Sequence, residues 1–337
     1  MKKKLKQFLK FIPGVKSLYL HVVRLVPASW KIRNIFSYDK TRFLRFALNS
    51  SLRTQEGALA SIIMTYHVIE KGLTMPGMRL GFGKEKLLEL IASLNRFADK
   101  YGTNAPQFIE AVRVVAEYKK IHDDAGFELD LDRVRAMSAL LERVPVEPSS
   151  QIEMTRERYW RDLDAPFEMF SASRHSVRHF WGTISEEQIR SAVALANNAP
   201  SACNRQYVRV HCVSDYAKIQ ACLALQNGNR GFGHLADKLL VITADLRGIV
   251  WGAERNDLFT NAGIYLMNLC YALHKNKVAH CMLNWSVPPS VDQQLRKILE
   301  IPEAESIVVL IACGDVPEKF KLASSPRKSV EETLVLH

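Results

Sequence analysis

Between about residues 38 and 143 apolar side chains recur three and four apart, the period of an amphipathic helix, and no alternating run interrupts them. Tyr38 to Lys71 carries the spacing, with Leu59, Ile62, Ile63 and Tyr66 in it. Met75-Pro76-Gly77 breaks the pattern and Gly81-Phe82-Gly83 extends the loop. Lys84 to Tyr101, Ala105 to His122 and Leu131 to Val144 then read as three further helices, the first with Leu87, Leu88, Leu90, Ile91 and Leu94 on a broad stripe. Residues 36–144 are therefore expected to form an all-α domain.

Pro145, Pro148, Ser149 and Ser150 punctuate the chain, and a linker is expected over 145–163. Beyond it the texture changes. Helical stretches (Glu186 to Asn197, Tyr216 to Leu225, Asp257 to His274, Ser290 to Leu299) alternate with β-rich runs (Tyr207 to Val213, Leu239 to Thr243, Val278 to Leu283, Ser306 to Ala312). The class this predicts for residues 164–337 is α+β, a sheet packed between helices. A doubly wound dinucleotide fold needs GxGxxG between a strand and a helix, and Gly228-Asn229-Arg230-Gly231-Phe232-Gly233 has the wrong spacing.

Charge changes the picture of the N-terminus. The 337 residues carry a net charge of +11, yet residues 1–53 hold thirteen Lys/Arg against one acid, Asp39, so the rest of the chain is near neutral. An enzyme of nucleic acids would spread its cations over the folded surface that meets the phosphates, so nucleic acid is not the expected partner. In Met1 to Ile12 the lysines are mixed with Leu5, Phe8, Leu9, Phe11 and Ile12, the pattern of an interfacial amphipathic helix. A basic arm over 1–35 suits an anionic membrane surface; a solvated helix packed on its own protein is the competing reading. Lys10, Pro13, Gly14 and Lys16 interrupt any secretory h-region, and Arg24 interrupts the best apolar run, so neither a cleaved signal nor a span is expected. The six cysteines (Cys203, Cys212, Cys222, Cys270, Cys281, Cys313) form no CxxC pair and no zinc spacing. They read as reduced core residues of a cytoplasmic protein, peripheral on the membrane if the arm binds it.

Three polar clusters carry chemistry. Ser173-Arg174-His175-Ser176-Val177-Arg178-His179-Phe180 brings two guanidiniums, hydroxyls and imidazoles together, a cradle for a phosphate dianion or an exposed basic helix end. Ala199-Pro200-Ser201-Ala202-Cys203-Asn204-Arg205-Gln206 ends a helix with small residues and paired amide donors and acceptors, suited to the edge of a planar heterocycle or to an ordinary turn. Ser325-Pro326-Arg327-Lys328-Ser329-Val330-Glu331-Glu332 adds two cations in the tail. In the helical region, His67 and Glu70 sit three apart on one helix face. The pair reads as a hydrogen-bonded His, or as a surface shaping access to a site, rather than as a metal centre, which would need more ligands.

In order and spacing, these three clusters resemble the FMN-dependent nitroreductase family over residues from about 165 to 337. Arg-His-Ser-x-Arg-x-Phe, Ala-Pro-Ser-x-x-Asn-x-Gln and Arg-Lys-x-x-Glu-Glu are its opening, middle and closing motifs. The resemblance implies an FMN cofactor, NAD(P)H as reductant delivering hydride to flavin N5, a small-molecule acceptor, and a homodimer with sites across its interface. It implies flavin contacts from Arg174, His175, Ser176 and Arg178, and phosphate contacts from Arg327 and Lys328. Pro200, Ser201 and Asn204 would reach the cofactor from the partner subunit. Asn229 would contact the ring, Leu283 and Asn284 would lie near N5, and Arg178 and Arg230 would place positive charge near N1 and O2. No protein nucleophile or general base is then required, since the ring carries the electrons. Tyr207 stands where the family has a Pro, and Cys281-Met282-Leu283-Asn284-Trp285 replaces a Gly-rich strand end, so the walls around the reacting face differ. The alternative is a degenerate flavin fold serving as a structural or membrane-tethered partner module, which the extra helical domain and the arm would suit.

Overall fold

The computed structural model describes residues 28–47, 53–149 and 151–337. Most of the expected basic arm, including its amphipathic start, lies outside these residues. Its described end belongs to helix α1 (Ala28–Phe46), none of whose described residues enters the core of the helical domain. α1 lies instead on the C-terminal domain: Asp39 pairs with Arg255 (Nη2 to Oδ1, 2.8 Å), and Ile32 and Ile35 pack on Gly252. Phe36, Tyr38, Phe43 and Phe46 of this helix are exposed.

Helices α2 (Gln55–Leu73), α3 (Lys84–Tyr101), α4 (Pro106–Asp124) and α5 (Leu131–Arg143) form the helical domain; the last three keep nearly the bounds read from periodicity, whereas the stretch read from Tyr38 to Lys71 divides between α1 and α2. Their apolar stripes meet in one core, with Ile62 and Ile69 from α2, Leu87, Leu90 and Leu94 from α3, Phe108 and Val115 from α4, and Met137 and Leu140 from α5. Thr54 and Asp130 cap α2 and α5 by accepting from the backbone N–H of Gly57 and Arg133. The Gly81-Phe82-Gly83 loop is pinned: Tyr118 donates to the Phe82 carbonyl (2.7 Å), Arg133 to that of Gly81 (2.9 Å), and Gly81 N–H to His122 Nε2 (2.8 Å). Both glycines there have positive φ, which a side chain would strain.

The C-terminal domain is α+β, as expected. Strands β2 (Val208–Val213), β3 (Lys238–Asp245), β4 (Ala279–Asn284) and β5 (Glu305–Gly314) form an antiparallel sheet in the order β2-β3-β5-β4. Every residue of β3 is buried, because both faces are covered. Leu240 and Ile242 face α8 (Glu186–Ala196) and α10 (Asp257–Lys275), while Leu239 and Val241 face α9 (Tyr216–Ala224) and α11 (Pro289–Leu299).

The region expected as linker differs. Residues 152–155 form strand β1 (Ile152–Thr155), paired antiparallel with β6 (Lys319–Leu322), and α6 (Arg156–Trp160) follows. Met154, Tyr159 and Leu163 are buried, so the ordered C-terminal domain starts before residue 164. Four residues of alternating burial gave too short a run to stand out as a strand. The cysteines also divide: all six are free, but Cys203 and Cys212 are exposed, the first in a turn and the second on edge strand β2.

Candidate functional site

The first cluster lies along the outer edge of β4. Helix α7 (Phe167–Ser173) ends at Ser173, whose hydroxyl donates to the Phe170 carbonyl, and His175 Nδ1–H donates to the Ser173 carbonyl at 2.9 Å. Ser176 then bridges to His280 of β4, and Val177 N–H donates to the His280 carbonyl at 3.0 Å. Val177 and Phe180 are buried, which leaves Ser176, Arg178 and His179 on the partly open side. Burial pushes the His175 imidazole down, and Arg174 and Arg327, from distant parts of the chain, push it further.

The helical domain faces this edge through α2. Arg178 Nη2 donates to His67 Nε2 at 3.4 Å, and His67 Nδ1 lies 3.0 Å from Glu70 Oε2. Glu70 is 5% exposed and accepts from Ser325 twice, from the backbone N–H (2.7 Å) and the hydroxyl (3.1 Å). Burial alone would raise the Glu70 carboxyl, but the hydrogen bonds from His67 and Ser325 outweigh it and hold the group below the ordinary carboxylate range. Lys71 follows one turn on from His67, on the same face. Burial lowers its ammonium pKa, and Arg178 lowers it further. Among the described residues, Lys71, Arg174, Arg178, Arg327 and Lys328 make no ion pair with a carboxylate. A cavity of about 340 Å³, lined by residues including Tyr66, His67, Glu70, Arg327 and Lys328, separates α2 from the tail. A wider groove of about 820 Å³ along β2 and α8 lies at the opposite sheet edge.

The expected ring contacts gather around a residue that sequence reasoning missed. Buried Gln226 donates to the Asn284 carbonyl (2.8 Å) and accepts from Gly228 N–H and from Asn229 Nδ2 (3.2 Å). Asn229 also donates to the Leu223 carbonyl (2.7 Å), so its amide donors serve the loop itself. Arg230 is exposed, and the loop touches the helical domain where Gly231, at positive φ, approaches the Met75 sulfur. Leu283 turns its side chain into the core, while Met282 and Asn284 are exposed.

The middle cluster stands apart. Ser201 accepts from Gln206 N–H (3.1 Å), Asn204 Oδ1 accepts from Gln206 Nε2 (2.9 Å), and Ala202 N–H donates to Asn261 Oδ1 (2.6 Å). Cys203, Asn204 and Gln206 all have positive φ, a strained turn of the kind found where function demands it. Asn261 and the Ser173 partner His274 lie near opposite ends of α10, thirteen residues apart and hence roughly 20 Å at 1.5 Å per residue. Within one chain, therefore, Pro200, Ser201 and Asn204 do not join Arg174 and Arg178.

The Nitroreductase family model matches residues 172–315, most of the C-terminal domain, and an all-helical region precedes the match. Solved structures similar to this chain include an FMN-dependent nitroreductase of Clostridium difficile R20291 (20% identity, 50% of this chain and 96% of that one, TM-score 0.41). A nitroreductase family protein of Streptococcus pneumoniae TIGR4 is similar at 21% identity (51% and 100% of the chains, TM-score 0.44). A candidate nitroreductase in complex with FMN, from Desulfovibrio desulfuricans, is similar at 19% identity (51% and 96%, TM-score 0.43). None of the curated proteins compared matches the chain. The family match supports an oxidoreductase.

Proposed function

We propose that the chain is an FMN-dependent oxidoreductase that takes hydride from NAD(P)H and reduces a small acceptor. The observation that carries the reading is the convergence of Arg174, Arg178 and Arg327, with Lys71 from the helical domain, where no carboxylate among the described residues pairs with them. Cations left together without a carboxylate paired to each cost stability in the empty protein, and a phosphate monoester with an anionic ring edge would neutralise them. FMN, when bound, supplies the redox chemistry. The protein's part is to hold and orient: Arg327 and Lys328 on the phosphate, Arg174, His175 and Ser176 along the cofactor, and Arg178 or Arg230 at the N1 and O2 edge. Leu283 and Asn284 border N5 through the backbone, and Asn229 shapes the loop beside them. A homodimer brings Pro200, Ser201 and Asn204 of the second copy to each site; exposed Trp251, Phe259, Ile264 and Met267, near or along the same helix, give it an apolar face. For residues 1–35 the reading keeps an anionic membrane surface as partner of a cytoplasmic protein. No helix among the described residues is long and apolar enough to cross a membrane.

The test is direct. Purified protein should be yellow, release FMN on denaturation, and bleach when NADPH or NADH is added without oxygen. A colourless protein that takes up no added FMN removes the reading.

A further inference from the structure

Among the described residues, the tail after β6 hydrogen-bonds to the body at one side chain. Among the described residues, every hydrogen bond that residues 324–337 make outside the tail goes to Glu70 of α2, a residue 255 positions away from Ser325. The remaining bonds are local, as between Ser329 and Glu332. Ser325 also has φ +41°, a left-handed backbone that a non-glycine residue adopts at a cost and keeps only when its surroundings hold it. Here the holder is a buried carboxylate accepting both its N–H and its hydroxyl. Two and three residues further on stand Arg327 and Lys328, and Arg327 lies within electrostatic reach of His175.

We infer that Glu70 is a positioning residue for phosphate recognition: the helical domain latches the tail so that Arg327 and Lys328 stand ready for the phosphate of FMN. The inference rests on the FMN reading above. It gives the helical domain a role in the cofactor site, and it makes a prediction about ligand chemistry. A ligand that needs the docked tail loses affinity in proportion to the fraction of molecules whose tail is undocked. Riboflavin has the same ring and ribityl chain without the phosphate, and so makes no demand on the tail.

The experiment measures dissociation constants of full-length apoprotein for FMN and for riboflavin by flavin fluorescence quenching. Glu70→Ala removes both acceptors. Ser325→Pro, placed in the tail where it leaves the core untouched, removes the N–H and forbids positive φ. Wild type should prefer FMN. Each variant should lose FMN affinity by about ten-fold or more while riboflavin stays within about two-fold, so that the preference collapses towards one. Arg327→Ala should do the same, and added to Glu70→Ala it should change little more. Variants that keep the wild-type preference, or lose both ligands equally, overturn the latch. So does a wild type that binds the two flavins equally, although the flavin reading then stands. If wild type binds neither flavin, both readings fall.

Discussion

His274 and His280 should make the protein lose stability between pH 7 and pH 5, before its carboxylates titrate. The two imidazoles lie beneath the first cluster, His274 Nε2 at 2.8 Å from the Ser173 hydroxyl and His280 bridged to Ser176. Ser173 already donates to Phe170, so His274 donates from Nε2; His280 donates from Nδ1 to the Val278 carbonyl. The nitrogen left over on each ring, Nδ1 of His274 and Nε2 of His280, is buried with no partner. A proton added there would be a charged donor with nothing to receive it. Burial accordingly pushes His274 down to about 3, with His280 and Arg174 adding to the shift, and His280 down to about 4, against an ordinary 6.5. The sign follows from proton counting. Below 6.5 the unfolded chain binds protons that the folded one refuses, so the full stability holds above 6.5 and is lost as pH falls towards the folded values. From pH 7 to pH 5 each ring accounts for about 2 kcal/mol, and the pair for about 4 kcal/mol. Carboxyls held low by hydrogen bonds, such as Glu70 and Glu305, lose their stabilisation only below the ordinary carboxylate range, which keeps the window clear. Urea unfolding followed by tryptophan emission reports on this core, because Trp160 lies 5.5 Å from the His274 ring. The double variant His274→Gln/His280→Gln should keep only the smaller slope left by His175 and His179, whose values burial also lowers. Equal stability of wild type at pH 7 and pH 5, or an unchanged slope in the double variant, would refute the reasoning.

Lys71→Met should act with opposite signs on the empty and the loaded protein. Removing a half-buried ammonium near Arg178 should leave the apoprotein melting at the same temperature or higher, while FMN loses one charge-assisted contact of about 1.5–3 kcal/mol. Thermal shifts with and without FMN measure both, and an unchanged FMN-induced shift would place Lys71 outside the site. Gly72→Ala should destabilise, although replacing a helical glycine by alanine ordinarily gains about 1 kcal/mol. The new Cβ would lie 2.3 Å from Phe82 Cε2, on a loop whose carbonyl Tyr118 holds, so overpacking should win by about 1–2 kcal/mol in urea unfolding. A more stable variant would show that the loop yields freely.

Much of the architecture was legible because its signals are local. The stripe Leu87, Leu90, Ile91 and Leu94 defines α3, and the runs around Leu239–Thr243 and Ser306–Ala312 define strands buried on both faces. The polar clusters also announced themselves by composition, and the match over residues 172–315 bears out the resemblance they suggested. Three features escaped: β1, too short for its alternation to register; Gln226, an ordinary amide until Asn229 and Asn284 close around it; and the exposure of Cys203 and Cys212, the first in a turn of positive φ and the second on an edge strand.

What the order of residues determined alone was periodicity, charge placement and the chemistry available in each cluster, since all of these depend on neighbours a few positions away. Tertiary structure alone decided that His67 meets Arg178 across 111 positions and that Glu70 holds Ser325 across 255. It likewise decided that the Pro200 turn and the Arg174 segment lie near opposite ends of α10. Contacts at such separations exist only after two cores have packed and oriented their surfaces, and no local pattern in the chain encodes which carboxylate a distant serine will find.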